Sequence, residues 1–117
     1  MSQHVMEIKS KLWIEINGEP VFGEGRKILL QAIADCGSIN QAAKETNISY
    51  RRAWSYIKFM EERLGVKLVE RRAGGKHGGG ASLTGAAREL IGKYERLQDG
   101  IDELVDKKFN RIFGDQR

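Results

Sequence analysis

The sequence predicts a mainly α chain with small β elements, the α+β class. Three observations carry the prediction: apolar residues recur at helical spacing in four separate stretches, an Asn17-Gly18 pair joins two short apolar runs near the start, and a glycine-rich basic segment joins two more in the middle. The 117 residues, 40 % hydrophobic and 31 % charged, suffice for one domain with one modest core, which excludes a two-domain enzyme with an interdomain cleft.

Residues 11 to 22 read Lys-Leu-Trp-Ile-Glu-Ile, Asn17-Gly18, then Glu-Pro-Val-Phe, the strongest short-range signal for a two-residue hairpin. Pro20 has no N–H to give a ladder, so its strand belongs at an edge. Trp13 and Phe22 are expected to pack this ribbon against the rest of the domain. After Gly23 and Gly25, the residues Ile28, Leu29, Ala32 and Ile33 recur at helical spacing until Gly37 supplies a C-cap, giving a helix of about three turns.

Ser38 is an N-cap candidate for a very short helix over Ile39, Ala42 and Ala43, ended by a turn at Asn47. Ser49 caps the next. From Tyr50 to Leu64 the residues Ala53, Ile57, Met60 and Leu64 fall within a narrow arc at about 100° per residue and form the buried stripe. Arg51, Ser55, Lys58 and Glu62 lie on the opposite side, with Arg52 and Phe59 at one edge of that polar face and Tyr50 and Trp54 toward the other. Gly65 ends this helix.

Val66 to Arg71 reads as a strand and Ala81 to Leu83 as its partner, joined through Arg72-Ala73-Gly74-Gly75-Lys76-His77-Gly78-Gly79-Gly80. Thr84 caps the last helix, of about 25 residues. In it Ala87, Leu90, Tyr94, Leu97, Ile101 and Leu104 alternate spacings of three and four, the seam of a coiled coil. Such a stripe has too much apolar surface to lie alone in water.

Charge sorts along the chain. The formal net charge is +4, and from Lys44 to Gly80 nine basic residues (Lys44, Arg51, Arg52, Lys58, Arg63, Lys67, Arg71, Arg72, Lys76) stand against four acidic ones (Glu45, Glu61, Glu62, Glu70). From Glu95 to Asp106 the acids Glu95, Asp99, Asp102, Glu103 and Asp106 face only Arg96. The middle of the chain suits a phosphate backbone; the C-terminal stretch would be repelled by one.

Helix, short helix, turn, longer helix and a two-stranded basic hairpin is the order of a winged helix-turn-helix, whose second motif helix enters the major groove of double-stranded DNA. A guanidinium of Arg51 or Arg52, in the first turn of that helix, can bind guanine O6 and N7 bidentately, and Tyr50 or Ser55 can donate to a base or a phosphate. The candidate DNA contacts are Ser38, Gln41, Ser49, Tyr50, Arg51, Arg52, Ser55 and Lys58 from the motif, with Arg71, Arg72, Lys76 and His77 from the wing. Leu90, Tyr94, Leu97, Ile101 and Leu104 are the candidate dimer interface. The division expected is 1–83 for the winged domain with its N-terminal hairpin and 84–117 for a C-terminal dimerisation helix.

Two strings sharpen this reading. Gly37-Ser38-Ile39-Asn40-Gln41-Ala42-Ala43-Lys44 with Ile48-Ser49-Tyr50-Arg51-Arg52-Ala53-Trp54, and Leu68-Val69-Glu70-Arg71 with Gly74-Gly75-Lys76-His77-Gly78-Gly79-Gly80-Ala81-Ser82-Leu83-Thr84, resemble the N-terminal DNA-binding domain of the ModE-type molybdate-responsive regulators, related to the LysR-type winged helix. The resemblance covers nearly the whole chain. It implies a homodimeric transcription regulator on a two-fold symmetric operator, with the C-terminal helix in the dimer interface. It also implies molybdate-binding domains beyond this region; the sequence stops at Arg117, so the expectation is a regulator lacking them.

Other readings carry less. Gly74 to Gly80 lacks Gly-Lys-Ser/Thr and opens no helix, so a nucleotide phosphate loop is not expected and the segment reads as a wing tip. His77 reads as an exposed wing residue, Trp54 as packing rather than a base-stacking platform, and the lone Cys36 as a small buried hydrophobe. With two histidines and one cysteine there is no set of ligands at zinc spacing, so no metal or cofactor is expected. No catalytic constellation is present, and no enzyme is expected. No apolar run approaches the roughly 18 residues of a membrane span and the start lacks an apolar signal-peptide core, so the expected location is the cytoplasm. The rival function is a winged-helix interaction module that docks onto a separate effector-binding partner.

Overall fold

Asn17 and Gly18 take positive φ angles of 53° and 81°, the pair of left-handed residues that a tight reversal between twisted strands requires. They join β1 (Trp13–Ile16) to β2 (Glu19–Gly23) in an antiparallel pair. The register shifts between Ile14, opposite Phe22, and Glu15, opposite Pro20, so Val21 is the extra residue of a bulge. That bulge lets Val21 and Phe22 both turn inward, where each is 1 % exposed. The computed structural model describes residues 4–72 and 80–114 of the chain.

Helix α1 (Glu24–Cys36) follows directly and ends at Gly37, whose left-handed φ of 67° lets its N–H reach the Ile33 carbonyl. α2 (Ile39–Glu45) and α3 (Tyr50–Leu64) form the next layer, β3 (Val69–Arg72) pairs antiparallel with β4 (Gly80–Leu83), and α4 (Gly85–Phe113) closes the order. The described residues thus build two separate two-stranded sheets on a helical body, a winged helix-turn-helix with an N-terminal hairpin and a long last helix.

One core unites these elements. Leu29, Leu30 and Ile33 of α1, Ala42 of α2, and Ala53, Ile57 and Met60 of α3 are at most 2 % exposed, and they meet Val21 and Phe22, Leu68, Val69 and Leu83, and Ala87, Ile91 and Tyr94 of α4. Phe22 and Tyr94 meet edge to face at 5.2 Å between ring centroids, so the N-terminal hairpin and the last helix share one contact.

Several expectations shift. α1 begins at Glu24, ahead of the apolar run, and Ile28 is 46 % exposed while Leu30, off the expected stripe, is fully buried. Trp13 does not pack the ribbon down; it is 53 % exposed, with its indole N–H on the Glu15 carboxylate at 2.8 Å, while Phe22 enters the core. β3 starts at Val69 rather than Val66, because the lead-in is held by side chains instead of a ladder: the Glu61 carboxylate accepts from Leu68 and Val69 N–H at 2.8 and 3.2 Å, and the Thr84 hydroxyl donates to the Lys67 carbonyl at 2.7 Å. Leu64 is half-buried at the end of its stripe, and Cys36 is half-buried rather than buried.

Candidate nucleic-acid interface

The helix-turn-helix is set by its caps. The Ser38 hydroxyl accepts from the Gln41 N–H at 3.1 Å and the Ser49 hydroxyl from the Arg52 N–H at 3.0 Å, so each helix begins at a serine and the turn between them is short. Asn47 takes the left-handed φ of 61° in that turn, and the Ile48 N–H bonds back to the Ala43 carbonyl at 3.0 Å. Ala53, Ile57 and Met60 root α3 in the core, which leaves Arg51, Arg52, Ser55 and Lys58 exposed along its outer side. Gln41, on α2, is exposed beside them.

The wing strands stand next to this face. The Ala81 N–H donates to the Gly37 carbonyl at 2.9 Å, so β4 hangs from the end of α1, and the Glu61 carboxylate fixes the approach to β3. Arg71 and Arg72 are exposed at the outer end of β3. Lys76 and His77 lie outside the described residues. Among the described residues no ion pair uses Arg51, Arg52, Lys58, Arg71 or Arg72, whereas Arg63 is neutralised by Glu19 at 2.7 Å. Positive charge is therefore left over on the side shared by α3 and β3, where a polyanion could take it up.

Tyr50, Trp54 and Arg71 form a cluster that the sequence reading did not assemble. The Trp54 indole N–H donates to the Tyr50 hydroxyl at 2.8 Å, Arg71 donates to the same hydroxyl at 3.2 Å, and the Arg71 guanidinium carbon lies 4.8 Å from the Trp54 ring centroid. Spacing of four on α3 places Tyr50 under Trp54, but only the pairing of β3 with β4 brings Arg71 to them, and no local pattern reports that. In the sequence Glu61 is one more acid on a charged helix; its role depends on the strand that comes back to it.

The last helix divides its apolar residues between two uses. Ala87, Ile91 and Tyr94 are buried in the chain's own core, and Leu90 is half-buried against it. Tyr94, a candidate for a second-copy contact, is thus already covered: it is 2 % exposed and its hydroxyl donates to the Leu12 carbonyl at 2.7 Å. Farther along, Leu97 and Leu104 are each half exposed, Ile101 is half-buried, and Ile112 and Phe113, which the spacing did not single out, are each 63 % exposed. Lys27 of α1 tethers the start of this run, reaching Glu24 at 3.2 Å and Glu95 at 3.6 Å. Burial disfavours its charge, but the Glu24 and Glu95 carboxylates outweigh that and raise its pKa above the ordinary lysine value. Burial, with the Glu45 carboxylate adding to it, pushes the Cys36 thiol up, so it is a protonated thiol rather than a reactive thiolate. Among the described residues, no helix is long and apolar enough to cross a membrane.

Comparison with known proteins agrees with this geometry. The family model described as bacterial regulatory helix-turn-helix protein, lysR family, matches residues 28–88, more than half of the chain. The chain is 46 % identical over 70 residues to the transcriptional regulator ModE of Haemophilus influenzae, covering 60 % of this chain and 28 % of that protein. It is 44 % identical over 93 residues to the DNA-binding transcriptional dual regulator ModE of Escherichia coli, covering 75 % and 36 %. The chain thus spans about a third of the length of these relatives. Among solved structures it is similar to the CbnR DNA-binding domain in its DNA complex, with a TM-score of 0.56 at 24 % identity over 74 % of this chain and 94 % of that one, a likeness of fold. A helix-turn-helix capped at Ser38 and Ser49, a wing hung from Gly37 and a family match that runs from α1 into α4 lead to one conclusion: the chain belongs to the lysR family of bacterial regulatory helix-turn-helix proteins.

Proposed function

We propose that the chain is a sequence-specific DNA-binding transcriptional regulator, similar to the ModE regulators, that acts as a homodimer on a two-fold symmetric operator. The observation that carries the proposal is the exposed face of α3, where, among the described residues, Arg51, Arg52 and Lys58 stand without ion-pair partners, with Ser55, beside Arg71 and Arg72 of the wing. In it α3 lies in the major groove: Arg51 and Arg52 read base edges, Tyr50, Ser55 and Lys58 contact bases or phosphate, Ser38, Gln41 and Ser49 touch the flanking backbone, and Arg71 and Arg72, with Lys76 and His77, follow the next stretch of backbone. Half-exposed Leu97 and Leu104, with Ile101, support a second copy packed along α4, since pairing two such stripes removes apolar surface from water at roughly 25 cal/mol per Å². The acids along the same helix keep that part of the molecule off the DNA. Transcription takes place on the chromosome, so the proposed place of action is the cytoplasm; no catalytic role and no cofactor are proposed.

Selection of bound sequences from a random duplex pool tests this. The expected outcome is a site with two half-sites related by two-fold symmetry about one helical turn apart. A salt titration on random duplex accompanies it: phosphate contacts give a steep dependence, whereas an interaction module that docks on another protein gives none, and a flat titration overturns the proposal.

A further inference from the structure

We infer that the crevice between the start of α2, the start of α3 and the wing strands takes one phosphodiester of bound DNA, and that Trp54 is the residue that positions its donors. The inference deepens the DNA-binding reading above and rests on it. Ser38, Asn40, Tyr50, Arg71 and Gly80 line this crevice, and no carboxylate is among its lining residues. A phenol oxygen has two lone pairs, and those of Tyr50 are both engaged, one by the Trp54 indole N–H at 2.8 Å and one by the Arg71 guanidinium at 3.2 Å. The hydrogen on the Tyr50 oxygen is therefore the group it has left to give. Arg71 has five N–H groups and spends one on Tyr50, so both residues offer donors to the crevice, and one of them is cationic. The donors of Tyr50 and Arg71, with a positive charge and no carboxylate against them, match an anionic oxygen, and charge-assisted bonds of this kind are about twice as strong as neutral ones.

Trp54 does not line the crevice; it acts through the two residues that do. Its ring is partly buried and packs against the core, so its edge and face are held by the body of the domain. The edge carries the N–H that holds Tyr50, and the face carries the Arg71 guanidinium at 4.8 Å from the centroid. One side chain thus sets the reach of the wing relative to the reading helix, and a guanidinium held in place loses less entropy when it binds.

The test is a double-mutant cycle on the selected duplex, with Trp54→Phe, which keeps the aromatic face and deletes the N–H, Arg71→Ala, and the two combined, each checked by urea unfolding at the binding temperature. Each single variant is expected to bind about three- to tenfold more weakly, and the double to lose less than the product of the two penalties, since with Arg71 gone Trp54 has only Tyr50 left to position. Arg71→Ala also lowers the salt slope by about one. In duplexes with single methylphosphonate linkages, one neutralised position should weaken the parent and weaken Arg71→Ala less, since only the neutral Tyr50 donor then remains for it. Penalties that multiply in the double variant assign Trp54 a structural role only and overturn the positioning claim, as does Trp54→Phe binding like the parent. The absence of a linkage that distinguishes the parent from Arg71→Ala overturns the phosphodiester. A parent that binds no duplex overturns the function itself, a different failure from either of these.

Discussion

The Tyr94 hydroxyl donates to the Leu12 carbonyl at 2.7 Å, so the last helix holds the residue just before β1 by a part-buried bond. Tyr94→Phe should cost about 1 kcal/mol of stability, since it leaves the Leu12 carbonyl short of a donor while keeping the ring against Phe22. Burial, then the Glu24 carboxylate, raises the phenol's pKa, with Lys27 opposing and Asp102 adding. The proton is bound more tightly in the folded state, so this contribution is complete below the ordinary tyrosine value near 10 and is lost as pH rises through the folded one. Urea unfolding from about pH 8 to 11 should show the parent losing stability at the alkaline end and Tyr94→Phe losing less; Lys27, raised above 10.5, adds a fall that both share at still higher pH.

Glu61 is expected to matter more for folding than its place on a charged helix suggests. Its carboxylate is the acceptor for two strand amides, so Glu61→Ala should cost about 1 to 3 kcal/mol by leaving Leu68 and Val69 N–H unsatisfied at a part-buried site. Glu61→Gln keeps an acceptor oxygen and should cost less. Equal losses for the two, measured by chemical denaturation, would show that charge rather than the hydrogen bonds is at work.

Arg51 and Arg52 are exposed and in no ion pair among the described residues, so alanine at either should leave the stability within about 0.5 kcal/mol of the parent. On the selected operator the same changes should cost about 1 to 3 kcal/mol each and relax preference at one base pair. Binding as tight as the parent in both variants would move the reading surface off α3.

Leu97→Glu with Leu104→Glu should give monomers in sedimentation at micromolar concentration and weaken operator binding far more than it weakens the fold, because each half loses its tethered neighbour. Both side chains are half exposed in the chain by itself, so the folded monomer buries little of either. A parent that sediments as a monomer while still occupying a two-fold site rules out this interface.

The helices were legible because their signals are local. Ser38, Ser49 and Thr84 were read as caps from one residue and its neighbours, and all three hydroxyls accept the expected backbone N–H. Asn17-Gly18 gave the first hairpin in the same way. What was not legible depends on chain return. The bulge at Val21 turns two successive residues inward and defeats an alternating pattern; Ile28 and Leu30 exchange roles because α1 meets β4 as well as α2; and Tyr94 leaves the coiled-coil stripe because Phe22 comes back to it. The same holds for the candidate site: Tyr50, Arg51 and Arg52 follow from one helical period, whereas the link from Trp54 to Arg71 requires the wing to be folded.

α4 runs unbroken from Gly85 to Phe113, 29 residues, or about 43 Å of rigid rod, clamped in the core over its first turns by Ala87, Ile91 and Tyr94 and held beyond them by polar tethers, Lys27 on Glu95 and Ser10 on Asp102. Mechanically this is a cantilever. A twist applied near Phe113 travels down the rod as torque and arrives at the clamp, and from there at α1 and the strand that hangs from Gly37. Gly92 and Gly100 are its compliant points, each weaker in a helix than alanine by about 1 kcal/mol, and Gly100 lies beyond the turns clamped in the core. Stiffening that position with alanine would make the rod transmit rotation more faithfully without altering a single contact at the far end.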